Sequence, residues 1–161
     1  MNTTKNPQKS KFDKLFNVFE QFHTSLEGFP VERVSDLRKS WEYAKTEYTR
    51  LLSAGVSKSR IAAGLEQGLR ELPSLFEGIT PQDRIHIAAT LSKAIHDIYP
   101  EFAAKEAKDL AEILAKNKIR GERQFYLVRH RIDELEGNGA DHAEIETLYR
   151  LIDQFEARHG R

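Results

Sequence analysis

Two segments near the C-terminus carry the same spacing of apolar residues, and this repeat constrains the fold more than any other feature. The apolar residues are Phe125, Val128, Ile132 and Leu135 in the first segment, and Ile145, Leu148, Ile152 and Phe155 in the second. Both series have intervals of 3, 4 and 3 residues, which place the side chains on one face of an α-helix. Between them, residues 137–140 read Gly-Asn-Gly-Ala, a sequence that ends a helix and forms a turn. The sequence therefore predicts two antiparallel helices packed through these faces.

The composition excludes several classes of protein. The 161 residues are 39% hydrophobic and 31% charged, which is enough for one domain with its own core. The chain has no cysteine, which excludes disulfides, thiolate nucleophiles and Cys-bound zinc and fits a reducing compartment. Lys+Arg and Asp+Glu both number 25, so the net charge gives no argument for a nucleic acid or an anionic membrane as partner.

Neither a membrane span nor a secretion signal is expected. No apolar run approaches the roughly 20 residues that a membrane-spanning helix needs. Residues 1–11 are polar and contain lysines, without the apolar centre of a secretory signal. A stripe of phenylalanines from Phe12 to Phe22 could form an interfacial membrane helix, but the same stripe serves the core of a helical bundle. We expect a flexible basic tail over 1–11, no membrane binding and a cytoplasmic location.

Apolar residues at helical spacing recur along the whole chain, and no segment shows the alternation of a half-buried strand. The predicted boundaries are Gly28 after the first helix, Pro30 and Ala54-Gly55 around the second, Ser57 and Pro73 around the third, and Thr80-Pro81 and Tyr99-Pro100 around the fourth. Within the third helix, Gly64 and Gly68 each lower helix stability by roughly 1 kcal/mol relative to alanine. We therefore expect another backbone to pack closely against these two glycines.

The apolar residues keep to one helical face from residue 101 into the C-terminal pair of helices. Ala103 and Leu110 share a face with Ile132 if 100° per residue is carried through Gly121. This continuity favours one long helix over about 101–136, kinked at most at Gly121, above two separate helices. Such a helix would be about 54 Å long.

Together these elements predict an all-α fold, a bundle of six or seven helices. An N-terminal bundle over 12–99 is followed over 100–161 by a two-helix arm, an antiparallel αα-hairpin. The hairpin consists of the long helix and a return helix over about 141–158. Asp141, with Glu144 three residues later, is predicted to cap the return helix.

Charge is balanced over the whole chain but not along the hairpin. From 116 to 131 there are six Lys or Arg residues and one acid, whereas from 132 to 156 there are eight acids and one Arg. One interpretation is a solvated surface with ion pairs between helices of the same chain. The other is a docking surface for a charged partner.

Two groups of residues are candidate binding sites for protein or nucleic acid. They are Lys58 and Arg60 in the first group, and Arg120, Arg123, Tyr126, Arg129 and Arg131 in the second. Residues 54–61 resemble the turn and the recognition-helix start of a lactose-repressor-type helix-turn-helix, which implies DNA binding. This sequence departs from that pattern at Arg50, Leu51 and Gly64. In the second group, an exposed tyrosine among arginines could stack on single-stranded nucleic acid.

Two short motifs have the spacing of metal sites. His96-Asp97 resembles the doublet of the HD-type metal phosphohydrolases, an all-helical family, and the resemblance implies a divalent metal shared with a further His and Asp from other helices. That family places its first His on a preceding helix, whereas His86 lies ten residues back on the same predicted helix. Glu20 and His23 have the Glu-x-x-His spacing of di-iron bundles, without the second copy that such a site needs. We expect no metal, no cofactor and no catalytic residue.

The excess of helices with apolar faces and the uneven charge of the hairpin favour a non-catalytic role. We predict a small regulatory protein that binds another protein and associates with itself through the C-terminal hairpin. A nucleic-acid-binding regulator that uses residues 58–60 or 116–131 is one open alternative. An HD-like metal-dependent phosphohydrolase is the other.

Overall fold

A computed structural model of the chain describes residues 9–139 and 142–160. Over these ranges the chain is helical, without a strand. The elements are α1 (Lys11–Ser25), α2 (Glu32–Ser53), α3 (Lys58–Glu71), a 3-10 helix (Leu72–Phe76), α4 (Pro81–Ile98), α5 (Pro100–Lys116), α6 (Glu122–Gly137) and α7 (His142–Arg158). The predicted all-α fold of six or seven helices is confirmed. In the described part of the chain, no helix combines the length and apolar content needed to cross a bilayer.

Two predicted features fall wholly or largely outside the described residues. The flexible basic tail was predicted over 1–11, of which the structure describes only the last three residues. Ser10 caps α1 by accepting a hydrogen bond from the backbone N–H of Asp13 at 3.1 Å, and Lys11 is the first residue of that helix. Asp141, the predicted cap of the return helix, lies outside the described residues. The return helix itself, α7, ends at Arg158 as the sequence predicts, and its first described residue is His142.

The buried apolar residues form two cores that meet where α4 packs along α6. The N-terminal core contains side chains from α1, α3, α4 and the 3-10 helix, together with Val34 and Trp41 of α2. The C-terminal core contains side chains from α5, α6 and α7. α4 packs against α1 on one side and against α6 on the other. The C-terminal hairpin therefore lies along the N-terminal helices and does not project from them as an arm.

The predicted contact between the two C-terminal helices is confirmed. Seven of the eight apolar residues that predict it are buried in the C-terminal core, and Ile145 is partly buried against it. The rings of Phe125 on α6 and Phe155 on α7 lie 5.3 Å apart, centroid to centroid. Spacing along one helical face was therefore enough to identify the packed surfaces.

The prediction of one long helix over about 101–136 is wrong, because the chain breaks between α5 and α6. Asn117 adopts a left-handed conformation with φ of 52°, and its backbone N–H donates to the carbonyl of Leu114 at 3.2 Å. Two residues later, Ile119 inserts into the C-terminal core and is almost fully buried. Its carbonyl accepts a hydrogen bond from Arg158 Nη2 on α7 at 2.9 Å. Burial of Ile119 and the left-handed cap at Asn117 stabilise the break, although the apolar residues after it continue the same helical spacing.

A buried carboxylate joins α1, α3 and α5. Glu66 on α3 accepts hydrogen bonds from Arg70 and Lys105, each at 3.2 Å, and forms an ion pair with Lys11. Burial alone would raise the pKa of Glu66, but the bonds from Lys11, Arg70 and Lys105 outweigh it and lower that pKa to about 2. The cluster fixes the N-terminal half of α5 against α3.

The glycines of α3 have no backbone of the described residues packed closely against them, so that expectation is wrong. At Gly64 no atom lies within 4 Å of the position that a Cβ would occupy. At Gly68 the nearest such atom is Cζ of the Phe19 side chain, at 3.9 Å.

We expect Ile119→Ala to lower the free energy of unfolding by about 2–5 kcal/mol, because it leaves a cavity where the break is anchored. Urea denaturation followed by circular dichroism measures this change. The control is Lys118→Ala, which truncates the exposed neighbouring residue and should change the free energy by less than about 0.5 kcal/mol. Equal midpoints for Ile119→Ala and the unsubstituted chain would show that this side chain does not anchor the break.

Candidate functional site

A cleft of about 340 Å³ separates α5 from α4 and α6, and it is the candidate functional site. One wall is formed by a row of mostly apolar residues of α5. They are Ala103, Glu106, Ala107, Leu110, Ala111 and Leu114. The opposite wall consists of residues from α4 and α6, and Glu144 of α7 lies at its edge. Its volume is at the lower end of the range found for ligand-binding clefts.

The cleft exists because α5 presents short side chains to it. Ala103, Ala107 and Ala111 are spaced four residues apart, so their methyl groups lie along one face of α5. These methyl groups are too short to fill the space between α5 and the facing helices. From Ala103 to Leu114 the wall spans 12 residues, and its two ends are about 16 Å apart along the helix axis. The result is an open, elongated trough about three turns long.

Polar groups of α6 and α4 meet on the opposite wall. Glu134 accepts a hydrogen bond from Ser92 Oγ at 2.7 Å, and its other carboxylate oxygen lies 3.7 Å from Nε2 of His130. His130 is only 5% exposed, and its Nδ1 has no hydrogen-bond partner among the described residues. Burial lowers the pKa of His130 despite the nearby carboxylates of Glu134 and Asp133. The imidazole is therefore neutral at pH 7.

Glu106 is the carboxylate of the apolar wall. Within the described residues it has no hydrogen bond and no ion pair. Burial, followed by repulsion from Glu134 and Asp109, raises the pKa of Glu106 to about 7. Arg131 lies at the cleft but is engaged by Glu144, with Nε 3.5 Å from the carboxylate. The cleft thus combines an apolar wall with two neighbouring carboxylates. Such an arrangement can accommodate a positively charged group that is attached to an apolar one.

The five residues of the second predicted group do not form one surface. Tyr126 donates a hydrogen bond to Glu77 at 2.7 Å, and the guanidinium of Arg129 covers its ring at 4.9 Å from the centroid. Arg129 is half-buried, and its Nη2 has no hydrogen-bond partner in the described part of the chain. Because Arg129 covers the ring, Tyr126 does not offer a free platform for stacking a base.

The other three arginines of that group point to different neighbours. Arg123 lies 3.8 Å from Asp109 of α5, and Arg131 pairs with α7 at the edge of the cleft. Arg120 is exposed, and its backbone N–H donates to Gln124 at 2.8 Å. Two of these arginines therefore form ion pairs between helices of the same chain. Of the second group, Arg131 alone lines the cleft.

The first predicted group lies at the start of α3, about where the sequence places it. Ser57 caps α3 by accepting a hydrogen bond from the backbone N–H of Arg60 at 3.2 Å. The ammonium group of Lys58 lies 5.6 Å from the centre of the Phe12 ring and 4.0 Å from Asp13, so it contacts α1. The side chain of Arg60 is exposed and has no partner among the described residues.

Of the side chains that resemble metal ligands, Asp97, His86 and His23 have other contacts, and His96 lines the cleft. Asp97 accepts hydrogen bonds from Lys93 at 2.7 Å and from Gln21 at 3.2 Å, and the ring of His86 stacks on Phe29 at 4.8 Å. His23 packs against the Trp41 ring at 5.8 Å. Among the described residues, no group of three or more His, Asp or Glu is placed to hold a metal ion.

Comparison of the chain with protein-family models, with curated proteins and with solved structures finds no match.

The main residues of the cleft were not identified from the sequence. A signal for them exists, because alanines at four-residue spacing beside Glu106, and the i, i+4 pair His130 and Glu134, both mark a single helical face. Sequence alone could not bring these two faces together, since the hydrophobic phase favoured one continuous helix.

We expect Glu106→Gln to stabilise the protein more at pH 8 than at pH 5. In the unfolded chain Glu106 ionises near its ordinary pKa of 4.5, and in the folded chain near 7. Between these values the folded chain binds more protons, so the free energy of unfolding falls as pH rises, by up to about 3 kcal/mol. The neutral amide of glutamine removes this pH-dependent loss of stability. Urea denaturation at both pH values measures the free energy of unfolding, and Glu112→Gln, at an exposed position of α5, controls for the loss of one charge. A Glu106→Gln effect that is equal at both pH values would contradict the assignment.

Proposed function

We propose that this chain is a non-catalytic helical protein that binds another protein, and that the cleft between α4, α5 and α6 receives a basic amphipathic helix of that partner. The observation that carries the proposal is an open apolar wall, three helical turns long, with an unpaired carboxylate on it. Binding of a helix along an apolar groove is a common mode of recognition between proteins.

The shape of the cleft supports a helix as the bound element. Its wall follows α5 for about 16 Å, which matches about three turns of a second helix lying alongside. The methyl groups of Ala103, Ala107 and Ala111 allow such a helix to approach α5 closely, and the cleft volume can accept side chains from one of its faces. The same short side chains offer a buried ligand few contacts on the α5 side of the cleft.

Charge supports a basic partner. Glu106 and Glu134 both line the cleft, and the negative charge of Glu134 makes the ionised form of Glu106 less stable. A Lys or Arg side chain of the partner would relieve this repulsion and supply Glu106 with an ion pair. Binding is favoured over catalysis because His130 is buried beside Glu134 and Ser92 already engages that carboxylate.

The test compares two designed helical peptides of about four turns with the same leucine face, one with lysines on its polar face and one with glutamates. We expect the lysine peptide to shift NMR amide signals of α5 and α6 at the cleft, and to bind more tightly as pH rises from about 6 to about 8 because Glu106 ionises. Ala107→Trp fills the cleft and should weaken binding at least about tenfold by calorimetry, an effect of about 1.4 kcal/mol.

The matched control for this variant is Ala104→Trp, which adds the same side chain to an exposed position of α5 outside the cleft. Equal binding of both peptides, or equal losses from the two tryptophan variants, would argue against the proposal. Two further variants, with a photo-crosslinking residue at 107 or at 104, are then expressed in the native host to capture the partner. We expect a crosslink from position 107 but not from position 104, and we expect it to join a basic helix of the partner.

A further inference from the structure

Gly64 and Gly68 lie in the interior of α3, on an open face of the helix. We call them the glycine pair. No atom lies within 4 Å of a Cβ built on Gly64, and one side-chain atom, at 3.9 Å, approaches the Cβ position of Gly68. Alanine would fit at both positions and is the better helix former. Packing among the described residues therefore gives no reason for glycine here, whereas close approach of another backbone from outside the chain does.

The glycine pair lines a groove of about 200 Å³ between α2 and α3. The facing wall is apolar and comes from Leu37, Ala44 and Tyr48 of α2. His23 also lines the groove; it is 7% exposed, and its Nδ1 has no hydrogen-bond partner in the described ranges. Leu75 lies at the same groove and is 42% exposed. An open apolar groove with an exposed leucine at its edge is a surface that a docked chain would cover.

The exposed residues of α3 on this side carry opposite charges at their two ends. They are Arg60, Gly64, Gln67 and Glu71, at intervals of 4, 3 and 4 residues, and therefore on one face of the helix. Arg60 lies four residues before the glycine pair and Glu71 lies three residues after it. The face is thus close to self-complementary: when two copies of α3 lie antiparallel, Arg60 of each copy meets Glu71 of the other.

We propose that the groove between α2 and α3 is a self-association surface, in which α3 of a second copy packs antiparallel across the glycine pair. The missing Cβ atoms let the two helix backbones approach closely, and the two Arg60–Glu71 pairs fix the antiparallel direction. A second copy fits better than an unrelated partner because both charges of each pair lie on the same face of the same helix. The surface is distinct from the cleft between α4, α5 and α6, so the association leaves that cleft open.

Sedimentation equilibrium of the full chain over a wide concentration range tests the proposal. We expect a reversible monomer–dimer equilibrium that Gly64→Ala/Gly68→Ala weakens at least about tenfold, while the same variant raises the melting temperature of the dilute monomer. A merely structural role for the glycines predicts the opposite change in stability. The control is Gly121→Ala, a position that is equally open but outside the groove.

Charge reversal tests the direction of packing. Arg60→Glu should weaken the dimer about tenfold, and Arg60→Glu/Glu71→Arg should restore it to within about threefold, because each pair is then reversed and intact. A strictly monomeric chain at high concentration, a dimer unaffected by the alanines, or a double reversal that fails to restore association would each overturn the proposal.

Discussion

The packing of α4 against α6 depends on an ion pair whose carboxylate is almost completely removed from water, and both cores meet at this interface. Arg84 Nε on α4 lies 2.8 Å from Asp133 Oδ2 on α6, and Asp133 is 2% exposed. Burial raises the pKa of Asp133 even though Arg84 opposes the rise. Removing one partner of such a pair leaves a buried charge without compensation, at a cost of about 3–5 kcal/mol. The relative position of α4 and α6 also sets one wall of the cleft, so the ion pair positions Ser92 beside Glu134.

The repeated segments of the hairpin separate what sequence can predict from what it cannot. Ile132-Asp133 and Ile152-Asp153 look alike in sequence, and their isoleucines are both buried, because helical spacing alone determines the apolar face. Their aspartates differ: Asp133 is buried against Arg84, whereas Asp153 is exposed. The difference comes from α4, which is 49 residues earlier in the chain at the point of contact. A local pattern cannot contain that information.

The candidate site could not be predicted because it depends on the break between α5 and α6, which the spacing of the apolar residues does not reveal. On one continuous helix, Glu106 and Glu134 would lie about 42 Å apart. Residues 117–121 reverse the chain and bring both carboxylates to one cleft. Asn117 is a known type of helix cap, but its left-handed conformation is stabilised here by burial of Ile119, a long-range contact with α6 and α7. The hydrophobic phase was therefore correct on each side of a break that it did not reveal.

The alanines of α5 also bear on how this protein would respond to engineering. Larger apolar residues at positions 103, 107 and 111 would find space already present and would bury additional surface within the chain. A selection for heat resistance alone would therefore favour them, and its products would retain every helix described above. They would also present a closed, continuous surface where the natural chain has an opening. Sequence optimisation guided only by folding energy would thus close the cleft on which the proposed function depends.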